Sequence, residues 1–174
     1  MRATLFFNFK LVLASVVMMG LFNYSSCKLT TKNASIPPEV KTIKVNYIEN
    51  HARYVNPQLS PQLTDRLKQK FVSQTRLTVV NSDDAQYEIS GYVTSYEPVT
   101  SGISNQQTAS NNLNVSVHVI FKNRMDDKKS KESDVSVSFP FSANISFSQA
   151  EAALLDDVVK NVTDEMFNKV FSDW

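Results

Sequence analysis

Between Val135 and Phe147 every second residue is apolar: Val135, Val137, Phe139, Phe141, Ala143, Ile145 and Phe147. Ser136, Ser138, Pro140, Ser142, Asn144 and Ser146 stand between them. A helix would scatter this pattern around its circumference, whereas a strand collects it on one side. The segment therefore predicts a strand with one face on a core and small polar groups on the other. Proline has no N–H to give to a ladder, so Pro140 predicts a sheet edge or a bulge.

Other segments share the period. In residues 113–122, Leu113, Val115, Val117, Val119 and Phe121 alternate with Asn114, Ser116, His118, Ile120 and Lys122. In residues 87–98, Tyr87, Ile89, Gly91 and Val93 fall on one side and Tyr92, Thr94 and Tyr96 on the other. Residues 40–48 and 77–81 read as two further strands. Two segments change to a helical period. Ser60-Pro61 reads as a capping serine with proline in the first helical position, and Leu63, Leu67 and Phe71 then form one stripe. This helix is expected to end near Gln74. Ser148 and Glu151 have capping-box spacing ahead of a stripe of Leu155, Val158, Val159, Val162, Met166 and Val170. Leu154, Phe167, Phe171 and Trp174 widen that stripe, and Asp156→Lys160 and Glu165→Lys169 are spaced as helical ion pairs.

The order β-α-β-β-β-β-α predicts an α+β domain. Its mixed sheet has four to five strands, with both helices packed on one face. A strand–helix–strand opening suggests a parallel pair, and the later strands suggest an antiparallel meander. The uncovered face is expected to be mostly Ser, Asn and Thr with few charges.

The N-terminus has a separate logic. Arg2 and Lys10 are basic, residues 11–22 are apolar, and Asn23-Tyr24-Ser25-Ser26 is a polar exit. This is the pattern of a signal peptide over residues 1–26. The apolar run is shorter than the roughly 20 residues a bilayer span needs. Cys27, the chain's single cysteine, follows directly. Small residues before a cysteine mark a lipoprotein signal, although Tyr24 replaces the usual aliphatic residue. The alternative is ordinary cleavage nearby with a free thiol. Acyl chains such as palmitate on Cys27 would fix the protein to a membrane surface. Residues 27–35 read as the lipidated terminus and tether, and residues 36–174 as one domain. One cysteine permits no internal disulfide, so the fold must stand on its core.

Several classes of chemistry lack their residues. The leader holds two of the 18 basic residues and none of the 17 acids, leaving the mature chain near −1. That argues against nucleic acid as a partner. His51 and His118 have no ligand-spaced companions, so no metal site is expected. No glycine-rich phosphate loop, nucleophile elbow or Cys–His pair occurs. Catalytic residues and cofactors are therefore not expected.

Two features invite a functional reading. The polar strand face is either a solvated sheet surface or a wet contact surface suited to the polar interior of a transmembrane barrel. The charged turn holds Arg124, Lys128, Lys129 and Lys131 beside Asp126, Asp127 and Glu132. It is either a solvated turn or a contact for lipid phosphates. The polar loop at residues 100–112 is long for a hairpin.

Four stretches, taken in order, resemble one family. They are Ala34-Ser35-Ile36-Pro37-Pro38-Glu39-Val40-Lys41-Thr42-Ile43; the run from Asn56-Pro57-Gln58-Leu59-Ser60 through Phe71-Val72-Ser73-Gln74-Thr75 to Leu77-Thr78-Val79-Val80-Asn81; Tyr87-Glu88-Ile89-Ser90-Gly91-Tyr92-Val93; and Phe167-Asn168-Lys169-Val170-Phe171-Ser172-Asp173-Trp174. Their order and spacing resemble the LptE family of lipopolysaccharide-assembly lipoproteins. The resemblance implies helices on a mixed sheet and no enzymatic activity. It implies a lipid anchor in the outer membrane on the periplasmic side, and a role as plug and assembly partner of the LptD barrel in delivering lipopolysaccharide to the cell surface. Lys28-Leu29-Thr30-Thr31 lacks the acids that route some lipoproteins outward. Lipopolysaccharide contact through basic residues near a sheet tip is also implied, with Arg124, Lys128 and Lys129 as candidates. The competing expectation is a free periplasmic lipoprotein that binds or senses an envelope lipid or glycan.

Overall fold

The computed structural model describes residues 36–100 and 110–171. The expected leader, Cys27, the tether and Trp174 lie outside the described residues, as does most of the polar loop. The elements are β1 (Thr42–Val45), β2 (Glu49–Asn50), α1 (Leu59–Gln74), β3 (Thr78–Val79), β4 (Tyr87–Thr100), β5 (Ser110–Asn123), a short 3-10 turn (Asp127–Lys129), β6 (Lys131–Ser142) and α2 (Phe147–Phe171). The sheet order is β3-β1-β4-β5-β6, with β2 also pairing β4. As expected, β1 and β3 are parallel across the α1 crossover, and β4, β5 and β6 form an antiparallel meander. β1 and β2 also run parallel to β4.

The sixth strand comes from a break. The strand expected over residues 40–48 stops at Val45, and the Ile48 N–H leaves the ladder to donate to Thr64 Oγ1 at 3.0 Å. Thr64 in turn donates to the Ser60 carbonyl, so a buried hydroxyl of α1 fixes the point where β1 gives way to β2.

The core lies between one sheet face and the two helices. Ile43, Val45, Tyr87, Ile89, Val93, Leu113, Val117 and Phe121 come from the sheet, and Leu63, Leu67, Phe71, Val158, Val162 and Met166 from the helices. Burying each such side chain stabilises the fold by about 1.5–3 kcal/mol. Phe71 meets Phe167 at 5.1 Å and Phe171 at 5.8 Å between ring centres, and Lys70 pairs with Asp164 at 2.6 Å. These contacts lock α1 to α2.

Both helix starts differ from the expected ones. α1 begins at Leu59, and Gln58 in the capping position supplies no side-chain cap. Asn56 accepts the Gln58 N–H at 2.8 Å instead, and Ser60 is buried within the first turn. Pro61 is therefore the third helical residue, where a missing N–H still costs nothing. The capping box of α2 is Ser146 with Gln149. Ser146 Oγ accepts the Gln149 N–H at 3.3 Å, and Gln149 Oε1 accepts the Ser146 N–H at 3.1 Å. This box starts the helix at Phe147 and overrides the strand period, so β6 ends at Ser142. At its other end β6 reaches back to Lys131, inside the segment expected as a turn. It is an edge strand, which accommodates Pro140 as expected.

Tyr96 lies on the opposite face from the expected one. Val93 pairs with Val117 but Ser95 pairs with Ser116, leaving Thr94 as an extra residue. This bulge reverses the alternation. Tyr96 enters the core at 1% exposure while Ser95 and Glu97 turn outward.

Candidate functional site

The uncovered sheet face is built in cross-strand rows. Asn114 stands opposite Ser138, and Ser116 opposite Ser136; these pairs bond at 2.7 and 2.8 Å. Such pairs leave few polar atoms needing another partner. This half of the face has the Ser and Asn character expected of it.

The other half carries more charge than expected. His118 Nδ1 lies 2.8 Å from Asp134, and Nε2 lies 3.4 Å from Glu132. The His118 ring packs on Tyr92 at 5.2 Å, and Tyr92 stacks on His51 at 4.7 Å. His51 pairs with Glu49 at 2.8 Å. Both histidines of the chain thus belong to one row running from β2 across β4 and β5 to β6. Asp134 is the main cause holding the His118 imidazole above its ordinary pKa of 6.5, with Glu132 adding to it.

The remaining charges gather where the chain joins the domain. Gln86 organises this end. Its side-chain oxygen accepts from the Lys41 and Thr42 amides at 2.6 and 3.2 Å, and its Nε2 donates to the Glu39 carbonyl at 3.0 Å. Its backbone carbonyl accepts the Arg124 N–H at 2.9 Å. The Arg76 guanidinium reaches the Ile36 carbonyl. On the outer face, Glu88 takes Asn46 Nδ2 at 2.9 Å and the Arg124 guanidinium at 2.6 Å. The Asn46 hydrogen bond first, then Arg124, hold its carboxyl below the usual range. Lys44 pairs with Asp83 at 2.5 Å.

Arg124, Lys128 and Lys129 do not form one cluster of like presentation. Arg124 is committed to Glu88 on the sheet, whereas Lys128 and Lys129 are exposed on the 3-10 turn. That turn is tied down. Buried Asn123 accepts the Met125 and Asp126 amides at 2.9 and 3.1 Å, and Asp126 accepts the Lys128 N–H at 3.2 Å. Met125 projects at 56% exposure beside the two lysines. The histidine row and the Gln86 junction escape a sequence reading, because both depend on the register of distant strands.

The pH response of the histidine row follows from its sign. A raised histidine pKa stabilises the fold fully below the unfolded value near 6.5, and the effect is lost as pH rises through the folded value. Asp134 is largely exposed, which limits the pair to about 1 kcal/mol or less. Denaturation of the wild type and of His118→Gln should therefore differ most below pH 6.5 and converge as pH rises through the folded value. A constant gap between the two would refute this assignment.

Grooves on the outer side of the helices, of about 360 and 390 Å³, are lined by polar and charged side chains including Arg66, Gln69, Lys160 and Asp164. Among the described residues no group of three ligating side chains is placed to hold a metal, and no helix is long and apolar enough to cross a membrane.

No curated protein matches the sequence. Among solved structures, protein XCC0632 from Xanthomonas campestris superposes with a TM-score of 0.54 at 13% identity, covering 76% of this chain and 85% of that one. Uncharacterized lipoprotein B from Nitrosomonas europaea superposes with a TM-score of 0.53 at 15% identity, covering 83% and 90%. At these identities the likeness is one of fold. The family profile LptE, described as lipopolysaccharide-assembly, matches residues 40–170. That stretch takes in every core strand, both helices, the histidine row and the basic turn, so this chain belongs to the LptE family of lipopolysaccharide-assembly proteins.

Proposed function

We propose that this protein is an outer-membrane lipoprotein, acylated at Cys27 on the periplasmic side, that sits as plug and assembly partner inside an LptD-type barrel and assists lipopolysaccharide transport to the cell surface. Beyond family membership, the uncovered sheet face carries the reading. Transmembrane barrel interiors are polar. A surface entering one loses water, which is costly for unpaired charges and cheap for groups already hydrogen-bonded. Asn114–Ser138, Ser116–Ser136 and His118–Asp134 are internally paired in this way. Lys128, exposed on a turn that Asn123 and Asp126 tie down, suits lipopolysaccharide phosphates better than Arg124, which pairs with Glu88.

Affinity purification through this chain in gentle detergent should recover a large barrel protein together with lipopolysaccharide. Absence of a barrel overturns the plug reading and favours a free lipoprotein. In the same experiment a Lys128→Ala/Lys129→Ala variant should retain several-fold less lipopolysaccharide at unchanged barrel recovery. Equal retention removes the turn from lipopolysaccharide contact.

A further inference from the structure

His118 lies between two carboxylates of β6. Its Nδ1 is 2.8 Å from Asp134 and its Nε2 is 3.4 Å from Glu132. A neutral imidazole has one N–H and one lone pair, whereas the imidazolium has two N–H groups. Only the protonated ring therefore offers hydrogen to both acids. Tyr92 packs on the ring from β4, and beyond it stand Glu49, its cross-strand partner on β2, and His51. The flanking rows are Ser90–Ile120–Glu132 and Ser95–Ser116–Ser136. Within these three rows, three carboxylates share two imidazoles and no lysine or arginine. Lys44, Lys122 and Arg124 gather instead around Glu88, further along β4. In water the arrangement is tolerated, because the Asp134 and Glu132 side chains are 77% and 65% exposed.

We propose that entry of this face into the barrel is coupled to protonation of the His118–Asp134 pair, so that the complex takes up a proton from solvent and tightens as pH falls. The proposal rests on the plug reading. A face that enters the barrel loses the water that screens Asp134 and Glu132, and an unpaired carboxylate in a dry site is strongly disfavoured. One proton removes this penalty in either of two positions. On the ring it makes an imidazolium–carboxylate pair. On Asp134 it makes a neutral acid beside a neutral imidazole. Both states carry one proton more than neutral His118 beside ionised Asp134, so the sign does not depend on how the pair shares it. The pair therefore holds its proton to higher pH in the complex than in the free domain, where Asp134 already raises the His118 imidazole above 6.5. The gain in affinity is complete below the free-domain value and is lost as pH rises through the value in the complex. The Asn114–Ser138 and Ser116–Ser136 pairs carry no ionisable group and add nothing to this response.

The test lets two full-length chains compete for one barrel. The barrel recovered with this protein is unfolded, then refolded in detergent with an equal excess of wild-type and His118→Gln chains, near pH 6 and near pH 8.5. Mass spectrometry gives the ratio of the two in the assembled complex. The preference for the wild type should be several-fold larger near pH 6 than near pH 8.5. Against Asp134→Asn, the wild type should lose near pH 8.5, where its carboxylate is unneutralised, and recover near pH 6. The Asp134 side chain is largely exposed on an edge strand, so this second variant leaves the free fold intact. A preference that is equal at both pH values, or that grows with pH, overturns the coupling and means that the barrel wall meets these acids with cations of its own. Failure of His118→Gln to fold, seen by circular dichroism, leaves the Asp134→Asn competition to decide. Assembly of neither chain with the barrel at either pH overturns the plug reading itself.

Discussion

Phe71→Ala is expected to cost about 3–5 kcal/mol of folding stability, the usual range for deleting a buried ring. Phe71 is completely buried and touches both aromatic residues at the end of α2. It is the main apolar contact between the two helices at that end. Removing it deletes burial from α1 and leaves Phe167 and Phe171 facing a cavity. Domains of this kind are stable by only about 5–15 kcal/mol, so the variant should sit close to its unfolding threshold. Denaturant unfolding measures this as a lower midpoint at unchanged slope. Val72→Ala, one residue along and 62% exposed, should move the midpoint by about 0.5 kcal/mol or less. Similar losses at the two positions would mean that the helix interface is not where the ring acts.

Gly91→Ala is the second large effect, and its sign is the test. On propensity alone, alanine in a strand interior should stabilise by up to about 1 kcal/mol, because glycine loses more backbone freedom on folding. The structure reverses that expectation. A Cβ at Gly91 would lie 2.3 Å from the His118 carbonyl oxygen, and that oxygen belongs to backbone and cannot swing away. β4 must move from β5 at the centre of the sheet, which places the cost at about 1–3 kcal/mol. Because Tyr92 and His118 pack across the same strand pair, the shift should also weaken the pH dependence of the histidine row. A wild-type midpoint in Gly91→Ala would show that the two strands tolerate the extra atom.

Local rules carried much of the fold. Period two in β5 and β6, and period 3.6 in both helices, identified the core side chains correctly, since each apolar residue on these stripes needed only its own element to place it. The stripe Leu155, Val158, Val159, Val162, Met166 and Val170 is buried throughout. Failures occurred where a single hydrogen bond outweighed a pattern. Ile145 and Phe147 continue the strand alternation in the sequence, yet β6 ends at Ser142 and the Ser146–Gln149 box opens a helix at Phe147. Phe147 still packs against Tyr54 and Phe141, so its hydrophobicity was read correctly and its element was not. Asn56 replaced Ser60 at the start of α1 because an Asx contact two residues earlier satisfied the first amide. The site was less legible. Glu49, His51, Tyr92, His118 and Asp134 come from four strands and the loop beside them, and only the register of β2 and β6 on their neighbours brings them into one row. Arg124 and Lys128, four positions apart, looked alike in the sequence, and only the fold puts Glu88 beside the first.

The extra residue in β4 gives that strand something like a reading frame. Before Thr94, odd-numbered residues face the helices; after it, even-numbered ones do. Any substitution at Thr94 preserves that phase. Loss of Thr94 would remove the extra residue and straighten the strand, leaving Ser95 opposite Ser116 and Tyr96 opposite Val115, still on the helix side. The far part of β4 is therefore kept in phase by its pairing with β5 and not by chain length, and the bulge is the one place where the strand can give up a residue without turning its outer surface inward.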